Sequence, residues 1–229
     1  MDLLLPPLIS FLLTIISVPP TIAFAKKFKM LDNPKTRPHP AHTQQRIVPR
    51  AGGLPIFIGV VLTMMLLTPF EKYTIGILAG LFVLLVIGLL DDRYQNLSPY
   101  FRLLTQFLAA GAVVWSGVGI GFITNPLGGI IHLDTSPQLI LLADFLAVIW
   151  IVWVMNMMNW SKGVDGQMPG IVTIAAIILG LLSLKLNLSN DPSQVTVAKF
   201  SFITAGSAFG FLIFNWHPAK IFPGFSGST

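Results

Sequence analysis

Long, nearly uninterrupted apolar runs are the feature that most constrains this chain. A helix needs roughly 17 to 25 apolar residues to cross the bilayer's hydrocarbon layer, which is about 30 Å thick. Of the 229 residues, 54% are hydrophobic and only 10% are charged, against about 25% charged in soluble domains. The sequence therefore predicts an all-α, polytopic integral membrane protein that forms one transmembrane helical domain over residues 1–229. Its seven candidate spans are 3–25, 51–69, 74–90, 102–124, 138–156, 170–187 and 198–216.

Basic residues are distributed unevenly over the loops between these segments. If the segments alternate across the membrane, 11 of the 14 Lys and Arg residues fall on one side, and only Lys72, Lys185 and Lys199 remain on the other. Cytoplasmic loops of membrane proteins carry an excess of Lys and Arg. We therefore expect a plasma (inner) membrane protein with its N-terminus outside and its basic loops in the cytoplasm, near 26–50, 91–101, 157–169 and 217–229.

Polar residues collect in the same four loops. Apart from Asp144, the apolar segments contain almost no ionisable residue. Transporters place their binding residues near the middle of the membrane, so this distribution disfavours a transporter or channel. The chain also has no cysteine, which excludes disulfides and thiolate metal sites. The pattern indicates one site at the membrane surface.

The first loop, residues 32–53, is basic and rich in proline. One interpretation is an anchor to acidic lipid headgroups. The other is a phosphate site, in which Gly52 and Gly53 let the backbone approach a ligand closely. The candidate phosphate-binding residues are Lys35, Arg37, His42, Arg46 and Arg50.

Two adjacent carboxylates, Asp91 and Asp92, follow the third apolar segment. Acids at a helix C-terminus oppose the helix dipole, so the pair is not explained as a stabilising cap. A cation or a positive ligand nearby would offset the repulsion between them. The two interpretations are a solvated helix end and a binding site.

The fifth apolar segment ends in NMMNWSKGVDG, residues 156–166. If the helix continues through this stretch, Asn156, Asn159, Lys162 and Asp165 share one helical face. Side-chain amides both donate and accept hydrogen bonds, which suits recognition of a base or a sugar. The alternative is an ordinary helix end capped by glycine.

The last loop carries Asn215 and ends in a tail rich in glycine and serine. A turn of this composition is able to form an anion-binding nest of backbone N–H groups. A flexible C-terminus is the simpler expectation.

Four motifs, in this order, resemble the polyprenyl-phosphate N-acetylhexosamine-1-phosphate transferases of glycosyltransferase family 4. They are HTQQRIVPRAGG, GLLDDRYQNLSP, NMMNWSKGVDG and GFLIFNWHPAKIFPGFSGS. The resemblance implies a membrane enzyme of cell-envelope glycan synthesis. The implied reaction transfers a sugar 1-phosphate from a UDP-N-acetylhexosamine to a polyprenyl phosphate, such as undecaprenyl phosphate, and releases UMP.

The resemblance also implies roles for individual residues. Asp91 and Asp92 match the family's catalytic aspartate pair, one of which is proposed to activate the lipid phosphate. Asp92 is in addition the candidate ligand of an expected Mg²⁺. A homodimer is a further expectation, and no nucleic-acid partner is expected. Residues that match the nucleotide side of the family's site are Asn156, Asn159, Asp165 and Asn215.

Two positions depart from the family's pattern. Lys162 stands where the family has an aspartate, and Phe225 stands where the family has the aspartate that binds the metal. Phenylalanine offers no oxygen to Mg²⁺. Loss of one metal-binding carboxylate removes several kcal/mol of transition-state stabilisation, which corresponds to a rate loss of about a thousandfold. The family also continues through further helices beyond the position of Thr229.

We therefore expect low or no turnover from this chain. Three interpretations remain open: a degenerate copy without the family's C-terminal helices, a rearranged site in which Lys162 supplies positive charge in place of the metal, and a sequence error near Thr229. The alternative function is a non-catalytic protein that binds lipid phosphate or nucleotide sugar.

Overall fold

The computed structural model describes residues 3–34, 46–186 and 192–229. Helices make up most of these ranges, so the predicted all-α class is confirmed. The helices are α1 (Leu5–Lys27), α2 (Gly53–Leu67), α3 (Lys72–Tyr94), α4 (Pro99–Trp115), α5 (Pro137–Ser161), α6 (Gln167–Leu186) and α7 (Pro192–Asn215).

Five of these helices, α1, α3, α5, α6 and α7, are long and apolar enough to cross a membrane. Their large apolar side chains often point away from the protein; Leu141, Phe145 and Trp150 of α5 are 71%, 60% and 64% exposed. A helix can satisfy its backbone hydrogen bonds internally, and therefore can present such a surface to lipid. The chain is thus a multi-pass membrane protein.

The two remaining helices are shorter. α2 has 15 residues and α4 has 17, so α2 is about 22 Å long at 1.5 Å per residue. The predicted segment 102–124 is wrong at its end, because α4 stops at Trp115 and the chain turns at Gly117, whose φ is +106°. The residues that follow form two antiparallel strands, β3 (Phe122–Thr124) and β4 (Ile130–His132). A crossing by all seven segments stays a prediction.

Small polar side chains lie where α1, α2 and α7 meet. Thr14 Oγ1 lies 2.9 Å from Ser207 Oγ, and Ser207 Oγ donates to Ile56 O at 3.2 Å. Small and hydroxyl side chains are typical of helix contacts in membranes because they allow close approach. Towards one end of the same interface, Val18 of α1, Phe211 of α7 and Ile221 beyond α7 form a fully buried apolar cluster.

Contacts between distant parts of the chain connect one set of helix termini. These are the ends of the odd-numbered helices and the starts of the even-numbered helices. After α1, strands β1 (Leu31–Asp32) and β2 (Val48–Pro49) pair antiparallel. Phe222, beyond α7, donates its N–H to Pro49 O at 2.8 Å. The start of α4 reaches the end of α3 through an ion pair, and the end of α5 reaches the chain beyond α7 through a hydrogen bond. The described parts of all four loops of the predicted site therefore lie at one end of the protein.

Candidate active site

The chain turns back after α7, and its last eight residues, 222–229, lie against the start of α2; we call them the C-terminal segment. Gly53 N donates to Pro223 O at 3.2 Å. A Cβ on Gly53 would overlap the carbonyl of Ser226, so a side chain there would push the segment away. One interpretation of Gly52 and Gly53 was that they let the backbone approach a ligand closely. In the structure the chain's own C-terminal segment lies against them, and contact with a ligand stays a prediction.

Asp92, at the end of α3, is fully buried and anchors this segment. Its Oδ1 accepts a hydrogen bond from Phe225 N at 2.7 Å, and its Oδ2 accepts from Ser226 N at 3.2 Å and Ser226 Oγ at 2.6 Å. Arg50 Nε lies 3.4 Å from Oδ1. The predicted nest of backbone N–H groups is present, but the anion that it holds is Asp92. Since Phe225 is only 2% exposed, the expectation of a flexible C-terminus is wrong.

Asp91 is also buried, at 1% exposure, which excludes a solvated helix end. Its Oδ1 accepts a hydrogen bond from Arg102 Nε at 3.0 Å and lies 2.6 Å from Arg102 Nη2 in the same ion pair. Within the described residues its Oδ2 accepts none. Sequence reasoning counted Arg102 only as a basic charge. The available signal was its position, in the first turn of a helix that follows the aspartate pair after a short loop.

The stretch 156–166 does not present one helical stripe. α5 ends at Ser161, so Asp165 lies outside the helix and the expectation of a shared face is wrong. Asn159 is on the helix, and its Oδ1 accepts a hydrogen bond from Ser228 Oγ at 2.9 Å. Asp92 and Asn159 therefore contact the same C-terminal segment, from α3 and α5 respectively.

Asn156 faces α4. Its Nδ2 donates to Gln106 Oε1 and to Val152 O, each at 2.8 Å. Gln106 is 1% exposed, and sequence reasoning missed it. A glutamine inside an apolar segment is costly to bury unless it is hydrogen-bonded, and this was the signal for a polar partner.

Asp165 holds the loop that follows α7. Its Oδ2 accepts from Ala219 N at 3.0 Å and lies 3.0 Å from His217 Nδ1. Arg46 Nη2 is 3.5 Å from the same oxygen, and Arg46 Nη1 donates to Ala219 O at 3.3 Å. The carboxylate thus joins the first basic loop to the loop beyond α7.

Asn215, the last residue of α7, uses both ends of its amide within the protein. Its Oδ1 accepts from Gly166 N at 3.0 Å, and its Nδ2 donates to Ile221 O at 2.8 Å. Substrate binding by Asn215 stays a prediction. Three of the candidate phosphate-binding residues, Lys35, Arg37 and His42, lie outside the described residues.

Lys162 follows α5 directly and points to the C-terminal segment. Its Nζ lies 3.5 Å from Gly224 O and 5.7 Å from the centroid of the Phe225 ring. The Arg102 guanidinium lies 5.3 Å from the same ring centroid. Burial of the ammonium, and next the nearby Arg50, lower the pKa of Lys162 to about 8, although the two aspartates oppose that shift.

The described residues do not fit the Mg²⁺ that the resemblance implies. Mg²⁺ prefers near-octahedral oxygen ligation, and among these residues no group of three or more His, Cys, Asp or Glu side chains is placed to hold a metal. The Asp92 oxygens are occupied by three hydrogen-bond donors, and Arg102 occupies one Asp91 oxygen. Lys162 and Phe225 add no carboxylate to the donor set. A metal role for Asp92 would require its present hydrogen bonds to break.

A mainly apolar cavity of about 210 Å³ opens beside the C-terminal segment. It lies among α2, α5, α6 and α7, and Ser228 forms part of its polar edge. The cavity offers space for an apolar group beside Gly227, Ser228 and Thr229 of the C-terminal segment. Its apolar lining includes Ile56, Val154, Met155, Met158, Met168 and Val172.

Comparison with known proteins gives consistent matches. Residues 74–229 match the family model described as glycosyl transferase family 4. The chain is 33% identical over 219 residues to the "probable undecaprenyl-phosphate N-acetylglucosaminyl 1-phosphate transferase" of Bacillus subtilis (strain 168), covering 95% of this chain and 57% of that protein. It is 32% identical over 236 residues to the phospho-N-acetylmuramoyl-pentapeptide-transferase of Caldanaerobacter subterraneus subsp. tengcongensis, covering 96% and 69%.

A third relative is the decaprenyl-phosphate N-acetylglucosaminephosphotransferase of Mycobacterium tuberculosis (strain CDC 1551 / Oshkosh). It is 33% identical over 193 residues, covering 79% of this chain and 46% of the relative. The chain thus spans from about half to about seven tenths of the length of these relatives.

Proposed function

Because this chain belongs to glycosyl transferase family 4, we propose that it transfers an N-acetylhexosamine 1-phosphate from a UDP-sugar to a polyprenyl phosphate. The names of two relatives specify N-acetylglucosamine and a polyprenyl phosphate, which supports this pair of substrates. The distribution of Lys and Arg supports a site on the cytoplasmic side of the plasma membrane.

The proposed reaction is a phosphoryl-type displacement. An oxygen of the lipid phosphate forms a bond to the sugar-bearing phosphorus of the UDP-sugar. The bond between that phosphorus and the bridging oxygen of the diphosphate breaks, and UMP leaves with the bridging oxygen. Both reactants are anionic, so positioning and charge stabilisation are the protein's main contributions.

The observation that carries the proposal is the charged cluster formed by Asp91, Asp92, Arg50, Arg102 and Lys162. These side chains come from four separate parts of the chain and meet at one end of the protein. The three cations among them would attract the diphosphate of the donor and the phosphate of the acceptor. The apolar cavity on the other part of the C-terminal segment, at Gly227, Ser228 and Thr229, supports an acceptor that carries a hydrocarbon chain. A soluble phosphate acceptor would not need such a cavity.

The two aspartates have different positions in this proposal. Asp92 is fully engaged by the C-terminal segment, so its task is to position that segment. Asp91 has an oxygen, Oδ2, that accepts no hydrogen bond within the described residues. We assign to Asp91 the contact with the acceptor phosphate, where its carboxylate would accept the proton of a singly protonated phosphate.

A second candidate function is binding without transfer. It is favoured by the donor set described above, which does not fit Mg²⁺, and by the complete engagement of Asp92. Such a protein would hold polyprenyl phosphate or nucleotide sugar without turnover.

One assay separates the two functions. Purified protein is incubated with radiolabelled UDP-N-acetylglucosamine and undecaprenyl phosphate, and lipid-linked product is extracted and counted. We expect a low but measurable yield, and loss of that yield in Asp91→Asn. The exposed Asp134 provides the matched control, since Asp134→Asn keeps the same chemical change at a distant loop.

Equilibrium binding of each substrate completes the test. Binding without any lipid-linked product would reject transfer and support the second candidate. Absence of both binding and product, from protein that elutes as a single folded species, would reject both.

A further inference from the structure

Lys162 is a partly buried cation with few partners. An ammonium has three N–H donors, and within the described residues its Nζ makes a single hydrogen bond, to Gly224 O, at the long distance of 3.5 Å. None of the ion pairs found there includes Lys162. Arg50 and Arg102, by contrast, each lie within 4 Å of a carboxylate. A charge that is partly removed from water and has no close counter-ion lowers stability, so this arrangement is not explained by stability.

The aromatic ring of Phe225 lies next to the Lys162 ammonium. Its ring is buried, and the Arg102 guanidinium lies 5.3 Å and the Lys162 ammonium 5.7 Å from its centroid. Cations are attracted to the face of an aromatic ring. The ring therefore helps to hold the ammonium in place without neutralising it as a carboxylate would.

The carboxylates nearest to Lys162 are engaged by other groups. Asp91 and Asp92 lie close enough to influence its pKa, as do Arg50 and Arg102. Both aspartates, however, already accept hydrogen bonds from other groups, Asp91 from Arg102 and Asp92 from the C-terminal segment. Two N–H donors of the ammonium have no partner among the described residues. A phosphate oxygen would satisfy those donors.

We propose that Lys162, held on the Phe225 ring, is the counter-charge for the diphosphate of the nucleotide sugar, so that this chain binds the nucleotide sugar without a divalent cation. The inference rests on the proposed function, since it concerns the donor of that reaction. An ammonium binds phosphate as a point charge, and it supplies positive charge at a site that does not fit Mg²⁺. Lys162 and Phe225, the two departures from the family's pattern, then act as one pair.

The test is calorimetric titration of UDP-N-acetylglucosamine into the purified full chain in detergent, once with EDTA and once with Mg²⁺. We expect dissociation constants that agree within about twofold in the two buffers, because no metal takes part. Lys162→Gln should weaken binding by about tenfold or more, the size expected for loss of a charge-assisted hydrogen bond. Lys162→Arg keeps the charge and should retain most of the affinity. Lys185→Gln, an exposed lysine at the end of α6, is the matched control and should bind normally.

Thermal unfolding distinguishes this role from a structural one. Removal of a partly buried charge that has no close counter-ion should leave the unfolding temperature of Lys162→Gln unchanged or higher. A lysine kept for structure would show a lower unfolding temperature. Weaker binding together with unchanged or higher stability therefore supports the proposal, and a fall in stability with normal binding overturns it.

A double variant, Lys162→Asp with Phe225→Asp, should bind the nucleotide sugar more tightly with Mg²⁺ than with EDTA, because it adds two carboxylates to the donor set. If wild-type protein binds only with Mg²⁺, the inference is wrong and the proposed function stands. If wild-type protein binds in neither buffer, the proposed function fails, and the inference fails with it.

Discussion

Replacement of Asp92 by asparagine tests whether this carboxylate holds the C-terminal segment. Asp92 is completely buried, and it accepts three hydrogen bonds from Phe225 and Ser226 while lying 3.4 Å from Arg50 Nε. Asparagine retains one acceptor oxygen, but its NH₂ group would face N–H or O–H donors. The substitution also removes a charge that compensates Arg50.

The expected loss follows from these contacts. Breaking a buried ion pair from one side costs about 3–5 kcal/mol. The lower end applies here, since Asp32 also lies 3.7 Å from Arg50 and still compensates part of its charge. A loss of about 3 kcal/mol lowers the unfolding temperature by about 6–12 °C for a chain of this length. Asp134→Asn, at an exposed position, should shift it by less than about 2 °C.

Release of the C-terminal segment can be followed directly. The chain has no cysteine, so a Thr229→Cys variant carries a single thiol. Maleimide should label this thiol faster when Asp92→Asn is also present. An unchanged labelling rate and a shift in unfolding temperature no larger than that of Asp134→Asn would refute the assignment of Asp92 as the anchor.

Three further predictions concern the site and its placement. The pKa of Lys162 is about 8, so the affinity of the wild-type protein for UDP-N-acetylglucosamine should fall as the pH rises through that value and the ammonium loses its proton. Calorimetric titrations from about pH 6.5 to 9.5 would measure this fall. In Lys162→Gln the affinity should not change with pH over the same range. Gly88→Ala should destabilise the protein in thermal unfolding, since a Cβ there would overlap the backbone of the C-terminal segment, whereas Gly111→Ala has open space around it and should be neutral or stabilising. In intact cells, a membrane-impermeant maleimide should label Leu127→Cys, and it should label Tyr100→Cys only after permeabilisation. Both positions are exposed on the protein surface. The reverse labelling pattern would contradict the predicted orientation.

The helical architecture was predictable because hydropathy reflects a strong constraint. A segment inside a bilayer has to satisfy its backbone hydrogen bonds internally, so long apolar runs become helices. The predicted segment 138–156 lies within α5, and 74–90 lies within α3. The end of α4 was missed, since apolar residues beyond Trp115 belong to a turn and a strand. Apolarity alone does not distinguish a β-strand from a helix.

The chemical character of the site was also readable from the sequence. Asp91, Asp92 and Asn159 stand out because polar side chains at the ends of apolar segments need a reason to be there. Their partners were not readable. Phe225 lies 133 residues from Asp92, and Ser228 lies 69 residues from Asn159. No local pattern in a sequence encodes pairings over such distances.

The sequence by itself determined that the chain forms membrane helices and that acids, amides and bases collect in loops at one end, since both properties follow from residue type and spacing. Only the tertiary structure decided which charges compensate each other. Helix packing delivers Arg102 to Asp91 and the C-terminal segment to Asp92, and it leaves Lys162 without a close counter-ion among the described residues. Electrostatic energy depends on the distance between groups and on their burial, and both are properties of the folded chain.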